Sequence, residues 1–121
     1  MTDLPALELP VTATLVVAGA IATRDFNVVH HDRDKAVRAG SQDIFMNILT
    51  TTGLVQRYVT DHYGPHARIK ACELRLGAPA YPGDTLVFTG VASDEGGLTV
   101  VDVVGKVSLG HHVTAKVTVQ L

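Results

Sequence analysis

The second half of the chain alternates between apolar and polar residues with a period of two. This alternation predicts β-strands that bury one face, because successive side chains point to opposite sides of a strand. In the last run, from Val113 to Leu121, it places every second residue on the buried side, Leu121 included. The sequence DEGG at 94–97 predicts a hairpin turn. The predicted strands are 71–76, Thr85–Val91, Leu98–Ser108 and 113–121.

The first half of the chain has two shorter segments with helical features. Val11–Ala22 begins with β-branched residues, which predict a strand, and continues with alanines, which predict a helix before Asp25. A short helix is predicted over Arg33–Ala39. Asp32 can accept a hydrogen bond at its amino end, and Gly40 can end it.

A longer helix is predicted from a cap at Ser41 or Asp43 to Gly64. Three consecutive threonines followed by Gly53 are poor helix formers, so this helix needs packing on most sides. We therefore expect a buried helix, with Gly53 at the point where a sheet comes close to the helix axis. The apolar residues at helical spacing are Ile44, Ile48, Val55 and Val59.

A long helix followed by about four antiparallel strands predicts an α+β fold in which a curved sheet covers the helix. A chain of 121 residues has room for one hydrophobic core, so residues 1–121 are predicted to form a single domain. Hydrophobic residues make up 46% of the chain and charged residues 18%. This apolar surplus favours a surface that is covered by a partner chain.

Charge and cysteine content exclude several classes of function. The net charge is −2 and no basic stripe is present, so nucleic-acid binding is not expected. Cys72 is the only cysteine, which excludes an internal disulfide and a cysteine-rich zinc site. No apolar run approaches the ~20 residues that span a bilayer, and the amino terminus lacks a signal pattern. We expect no membrane association and a cytoplasmic location.

Titratable residues concentrate in one stretch, TRDFNVVHHDRDKA at 23–36. Asp25 and His30 are five residues apart, which is neither helix-face nor strand-face spacing, so a loop must bring them together. A carboxylate and an imidazole that converge on one water can share the proton transfers of adding that water to an electrophile. Asn27 can support such a turn through hydrogen bonds to the backbone. On spacing alone, a solvated polar loop is the alternative.

The run from 22 to 40 resembles the signature of the MaoC-like, or R-specific, enoyl-CoA hydratases, D-x-N-P-I/L-H-x-D followed by an alanine and a glycine. YPGDTLVFTGVA at 81–92 resembles the P-G-D-x-L/V strand opening of that family. The resemblance covers nearly the whole chain. It implies the hotdog fold, an antiparallel sheet wrapped around one long helix. It also implies the addition of water to the trans-2 double bond of an acyl-CoA, giving a (3R)-3-hydroxyacyl-CoA. The matching residues are Asp25, Asn27, His30, Asp32, Ala36 and Gly40.

The resemblance also implies a role for each site residue. Asp25 and His30 would be the catalytic pair that activates the water and returns a proton to Cα, with Asn27 supporting their loop. The thioester oxygen gains negative charge and needs donors at the start of a buried helix. Met46 and Asn47 align with the family's His-Gly pair, so the backbone N–H of Asn47 is the expected donor. No metal and no cofactor are expected, because coenzyme A is part of the substrate.

Within that family, residues 23–37 together with 43–61 are most similar to the small MaoC-like subunits of actinobacterial steroid side-chain enoyl-CoA hydratases. This similarity implies a bulky, steroid-derived acyl group. It also implies a larger partner chain with a second hotdog domain and an OB-fold domain of the DUF35 type, in a heterotetramer. A lone hotdog domain has half a pocket and an open sheet edge, so pairing is expected on physical grounds as well.

Two alternative functions remain. A hotdog thioesterase would place its carboxylate on the long helix, but Ile44 to Thr60 contains no Asp or Glu. A non-catalytic scaffold would leave the chemistry to its partner, and the complete Asp25–His30 motif argues against that. The remaining histidine pair, His111 and His112, is expected to be a solvated turn and not a metal site, because no third ligand is evident.

Overall fold

The computed structural model describes residues 1–121 and contains five strands and three α-helices. All strands belong to one antiparallel sheet with the order β1-β3-β4-β5-β2. No helix combines the length and the apolar character that crossing a membrane would require. The strands are β1 (Thr2–Pro10), β2 (Arg68–Leu76), β3 (Thr85–Glu95), β4 (Leu98–Val107) and β5 (Gly110–Gln120). The helices are α1 (Ala13–Ala22), α2 (Arg33–Arg38) and α3 (Ile48–Tyr63), with a 3₁₀ turn at Val28–His30.

The strand pattern predicted from the second half of the chain is confirmed. β3 and β4 form a hairpin with a two-residue turn, in which Gly96 and Gly97 have φ angles of 60° and 82°. Both central residues of a type I′ turn need positive φ, which glycine adopts without strain. β3 extends to Glu95, four residues beyond the predicted end, because it continues to pair with β4 as far as this turn.

The core lies between α3 and the inner face of the sheet. Val55, Tyr58 and Val59 of α3 are buried, and the Tyr58 ring stacks on Phe88 of β3 with ring centroids 5.7 Å apart. Each such side chain contributes about 1.5–3 kcal/mol when it is fully buried. This is the α+β hotdog arrangement that the sequence predicted.

The prediction that Leu121 is buried is wrong: it lies beyond β5 and is 67% exposed.

The strand predicted at the start of Val11–Ala22 is wrong. β1 precedes this segment, and α1 begins at Ala13 because the Thr12 hydroxyl accepts a hydrogen bond from the N–H of Leu15 at 3.0 Å. Val16 is fully buried in this helix, so tertiary packing overrides its preference for strands.

The long helix differs from its prediction in three respects. It starts at Ile48 with Asn47 as its cap. The side chains of Ser41 and Asp43 form hydrogen bonds in the preceding loop instead, and Ser41 also lies 3.2 Å from the Tyr81 hydroxyl. Only one face is buried, and Ile48 is 50% exposed. Gly53 is exposed, and a Cβ there would meet no atom within 4 Å, so the sheet does not approach the helix at this point.

The predicted short helix is confirmed as α2. The Asp32 carboxylate accepts the N–H of Lys35 at 3.1 Å, and the helix ends at Arg38, one residue before the predicted end. Gly40 follows with a φ of 99°, a conformation that favours glycine.

Candidate functional site

The loop that carries the titratable residues begins where α1 ends. The N–H of Asp25 donates to the Ala20 carbonyl at 2.9 Å, and the N–H of Arg24 donates to the Ile21 carbonyl at 3.0 Å. This is the pattern of a Schellman motif, in which one residue adopts a left-handed conformation. That residue is Arg24, with a φ of 57°. The sharp turn places Asp25 directly at the helix end.

The loop brings Asp25 and His30 together. Asp25 Oδ2 lies 3.3 Å from His30 Nε2. The N–H of Asn27 donates to Asp25 Oδ1 at 3.2 Å, and Asn27 Oδ1 accepts the N–H of Val29 at 3.2 Å. Asn27 therefore caps the 3₁₀ turn that carries His30. His31, next in sequence, is exposed and its Nε2 lies 3.1 Å from the Phe26 carbonyl instead.

The backbone fixes which nitrogen of His30 carries the proton in the neutral ring. His30 Nδ1 lies 2.6 Å from the Phe45 carbonyl oxygen, which can only accept, so Nδ1 donates. The Phe45 ring packs edge-on against the imidazole, with centroids 4.9 Å apart. Nε2 of the neutral ring then presents a lone pair towards Asp25. A basic nitrogen and a carboxylate oxygen face the same point.

Asn47, the cap of α3, lies against the Asp25 carboxylate. Its Nδ2 donates to Asp25 Oδ2 at 3.2 Å and to Thr23 Oγ1 at 2.9 Å. Its Oδ1 accepts the N–H of Thr50 at 2.9 Å. The amino end of α3 is thereby joined to the loop that carries Asp25.

The first amides of α3 are available as hydrogen-bond donors. The N–H of Met46 donates to the Ala80 carbonyl at 3.1 Å, but the N–H groups of Asn47, Ile48 and Leu49 have no acceptor within the chain. Asn47 has φ −81° and ψ 164°, an extended conformation that does not require glycine. Unpaired N–H groups at a helix amino terminus favour a negatively charged oxygen.

Hydrogen bonds keep the Asp25 carboxyl ionised. The side-chain donor Asn47 is the main cause that lowers the pKa of Asp25, followed by the backbone N–H of Asn27 and the charge of His30. Burial acts in the opposite direction but does not prevail. A carboxylate that accepts several N–H groups favours its charged form.

A buried histidine lies near the site, although its position in the sequence predicts a solvated turn. His112 is 2% exposed, so the expectation of a solvated turn is wrong for this residue. Its Nε2 lies 2.8 Å from Thr51 Oγ1 on α3, and its Nδ1 lies 2.7 Å from the Ala78 carbonyl. The pairing of β4 with β5 shifts at this point, with Lys106 opposite His111 and Gly105 opposite Val113. His112 is the extra residue of a β-bulge, which breaks the period-two pattern.

The larger concavities of the chain lie away from the Asp25–His30 pair. One of about 360 Å³ is lined by residues of β2, β4 and β5 that include Glu73, Asp102 and Lys116. A second, of about 290 Å³, is lined by residues that include Tyr81 and Asp84, and a third, of about 240 Å³, by residues that include His62 and Asp94. None of these concavities is lined by Asp25 or His30.

The sheet wrapped around one helix, with a loop of candidate catalytic residues at the amino end of that helix, defines a hotdog-fold protein. Residues 3–116 match the family described as the MaoC like domain. The chain belongs to this family, as the motif between Asp25 and Asp32 predicted.

Known proteins and solved structures are similar to this chain over nearly its whole length. The 3-oxo-4,17-pregnadiene-20-carboxyl-CoA hydratase beta subunit of Mycobacterium tuberculosis is 58% identical over 119 residues, which cover 98% of this chain and 92% of that protein. A chain in the crystal structure of the ChsH1–ChsH2 complex from Mycobacterium tuberculosis is 56% identical with a TM-score of 0.96, covering 99% of this chain and 95% of that chain. The structure of the (R)-hydratase from A. caviae involved in PHA biosynthesis matches with a TM-score of 0.88, and the match covers 99% of this chain and 94% of that chain. Its sequence is only 18% identical, so this similarity supports the fold alone.

Proposed function

We propose that this chain is the catalytic subunit of a heteromeric enoyl-CoA hydratase that acts on a bulky, steroid side-chain acyl-CoA. The observation that carries the proposal is the 3.3 Å approach of Asp25 Oδ2 to His30 Nε2 beside the unpaired N–H of Asn47. The 58% identical relative is named as a hydratase of a pregnadiene carboxyl-CoA, which supports the reaction and the substrate class.

The first step is the placement of one water between Asp25 and His30. Asp25 Oδ1 and Oδ2 each accept an N–H from the protein, whereas His30 Nε2 has no protein donor. A bound water can donate one proton to Nε2 and the other to Oδ2, which aims an oxygen lone pair at the substrate. Because Asp25 is held as a weak base, His30 Nε2 takes the proton as the water attacks.

The second step is stabilisation of the charge that develops on the thioester. The water oxygen forms a bond to C3, and the electron pair of the double bond moves through C2 onto the thioester oxygen. The N–H of Asn47 donates to this oxygen, helped by the dipole of α3. The proton held on His30 is then delivered to C2. One water has been added, no cofactor is consumed, and coenzyme A enters and leaves as part of the substrate.

A partner chain is part of the proposal. The relative of known structure is in a ChsH1–ChsH2 complex. Phe26, Ile48 and Leu49, which flank the site residues in sequence, are between 50% and 66% exposed and form apolar surface that a partner or an acyl group would cover. We propose that the partner is a larger MaoC-like subunit with an OB-fold domain of the DUF35 type, and that the assembly is a heterotetramer.

The mechanism is tested by Asp25→Asn and His30→Ala in the purified complex. We expect each substitution to lower kcat by about 10²–10⁴-fold, the usual range for loss of a general acid or base. The assay follows the loss of enoyl absorbance with a steroid side-chain enoyl-CoA, and circular dichroism checks that each variant is folded. His31→Ala is the matched control, because His31 is an exposed neighbour outside the pair and should retain activity.

Near-full activity in both Asp25→Asn and His30→Ala would contradict the mechanism. Release of free coenzyme A without hydration would instead indicate a thioesterase. Equal turnover of crotonyl-CoA and a steroid thioester would contradict the proposed substrate class while leaving the reaction unchanged.

A further inference from the structure

We propose that the side chain of Asn47 is a positioning residue for hydration: it orients the Asp25 carboxylate towards His30 while the backbone N–H of the same residue faces the thioester oxygen. This inference rests on the proposed function and assigns a role to the side chain in addition to the backbone donor. Asn47 would then fix the distance between the Asp25–His30 pair and the backbone N–H that faces the thioester oxygen.

The orientation of the Asn47 carboxamide is determined by its neighbours. Oδ1 lies within hydrogen-bond distance of two donors, the N–H and the hydroxyl of Thr50. If the carboxamide were turned round, its NH₂ group would face the N–H of Thr50, and two donors cannot form a hydrogen bond with each other. Nδ2 must therefore point the other way, towards Thr23 and Asp25.

Both protons of Asn47 Nδ2 have acceptors. The Thr23 hydroxyl donates to the Gly19 carbonyl at 2.8 Å, so its oxygen is free to accept one Nδ2 proton. The second proton goes to Asp25 Oδ2 at 3.2 Å. Asn47 is 2% exposed and the hydrogen-bonding groups of its carboxamide are fully used, so rotation of the carboxamide would leave buried polar groups unpaired.

The Asp25 carboxylate is oriented by two fixed donors on different oxygens. The N–H of Asn27 holds Oδ1 and the carboxamide of Asn47 holds Oδ2. Without Asn47, rotation about the last side-chain bond of Asp25 is opposed by one backbone bond only. The Asp25 side chain is 30% exposed, so solvent could compete for the released oxygen.

The inference is tested with Asn47→Ser in the complex. Serine is a good helix cap and keeps the backbone N–H, but it is too short to reach Asp25. We expect kcat to fall by about 10- to 100-fold with little change in KM, because misplacement of a catalytic group can cost about 10²-fold. We also expect the pKa of Asp25 to rise, since the main donor that lowers it is removed. Carbon-13 NMR of aspartate-labelled protein follows this titration, with the Asp25 signal assigned by its absence in Asp25→Asn.

The matched control for loss of a helix cap is Thr12→Ala, at the amino end of α1. It should lower stability without changing kcat or the Asp25 titration. If Asn47→Ser does not fold, Asn47→Asp keeps the shape and the cap while replacing the donor with a second carboxylate. This variant should lower kcat and raise the pKa of Asp25 further.

Unchanged kcat and an unchanged Asp25 titration in the folded Asn47 variants would overturn the inference. The proposed function would stand in that case, provided that Asp25→Asn is inactive. Near-full activity in both Asp25→Asn and His30→Ala would instead remove the proposed mechanism, whatever the Asn47 variants show.

Discussion

His112 is a neutral imidazole built into the interior beside the first turn of α3. Burial lowers its pKa. The Ala78 carbonyl can only accept, so Nδ1 carries the proton and Nε2 accepts the hydroxyl of Thr51. The N–H of Thr51 in turn donates to the Asn47 carbonyl at 3.2 Å. His112 thus ties β5 and the loop before β3 to the helix end that supplies the proposed oxyanion donor.

Because His112 is buried in its neutral form, we expect the chain to lose stability in mild acid. As the pH falls below about 6.5, the unfolded chain binds a proton at this residue that the folded chain does not yet bind, so the free energy of unfolding decreases. His112→Gln can keep both hydrogen bonds but cannot titrate. Urea unfolding at about pH 7.5 and about pH 5.5 should show a smaller decrease for His112→Gln than for the unaltered chain. Equal decreases in the two proteins would show that His112 does not contribute.

Residues whose partners are close in sequence could be placed from the sequence alone. Asp32 caps α2 three residues away, and Asn27 caps the turn two residues away, as their positions indicated. The side chain of Asn47 and the imidazole of His112 find their partners 22 and 61 residues away. No local pattern contains those pairings, which depend on how α1, α3 and β5 pack.

The crossing of α1 and α3 sets the position of the loop that carries Asp25. A Cβ at Gly19 would overlap the Thr50 side chain, so only glycine allows this approach. Thr50 cannot turn away freely, because its hydroxyl donates to Asn47 Oδ1. The glycine needed for close packing is therefore in α1, and not Gly53 of α3 as predicted.

Gly19→Ala is expected to destabilise the chain despite the better helix propensity of alanine. Propensity alone would favour alanine by about 1 kcal/mol. Overpacking against Thr50 costs about 1–3 kcal/mol and also disturbs Asn47. Chemical denaturation should show a net loss of stability, and adding Thr50→Ala to the same chain should recover part of it. A Gly19→Ala chain as stable as the original would mean that the crossing adjusts without cost.

The bounds of helices and strands could be predicted where neighbouring residues determine them. The predictions were wrong where tertiary packing determines the bounds. The hairpin glycines and the alternation of the last strand identify β3, β4 and β5 directly. The α1 segment has β-branched residues in its first half, and only the cap at Thr12 and the burial of Val16 make it helical. For α3, several capping residues precede the helix, and the one used is the residue that also meets Asp25.

The two edges of the sheet differ in their capacity to pair with another strand. β1 contains Pro5 and Pro10, which lack an N–H, and its register shifts between Leu4 and Leu7. The Pro5 carbonyl already accepts the hydroxyl of Tyr58 at 2.9 Å. β2 has nine residues without a proline, and only β5 pairs with it. The register of β2 also shifts, between Ile69 and Ala71, so the prolines of β1 are what distinguish the two edges. Prolines block edge pairing, which makes β2 the edge more open to a partner.

The charges of β2 favour a different chain over a second copy of this one. The strand RIKACELRL carries three basic residues and one acidic residue. With three basic residues and one acidic residue, each copy of the strand has a net charge of +2, so two copies placed edge to edge would repel each other overall, whereas a partner with a net negative charge would be attracted. This asymmetry agrees with the proposed heteromer.

Hydrogen–deuterium exchange can test which edge the partner covers. The amides of β2 that do not pair with β5 should exchange quickly in the isolated chain and become protected in the complex, because exchange reports the opening of backbone hydrogen bonds. The amides of β1 are the internal reference and should change little. Protection that appears along β1 and not along β2 would show that the partner binds the opposite edge. If neither strand gained protection, the partner would bind the side of the molecule that carries the helices, and not an edge of the sheet.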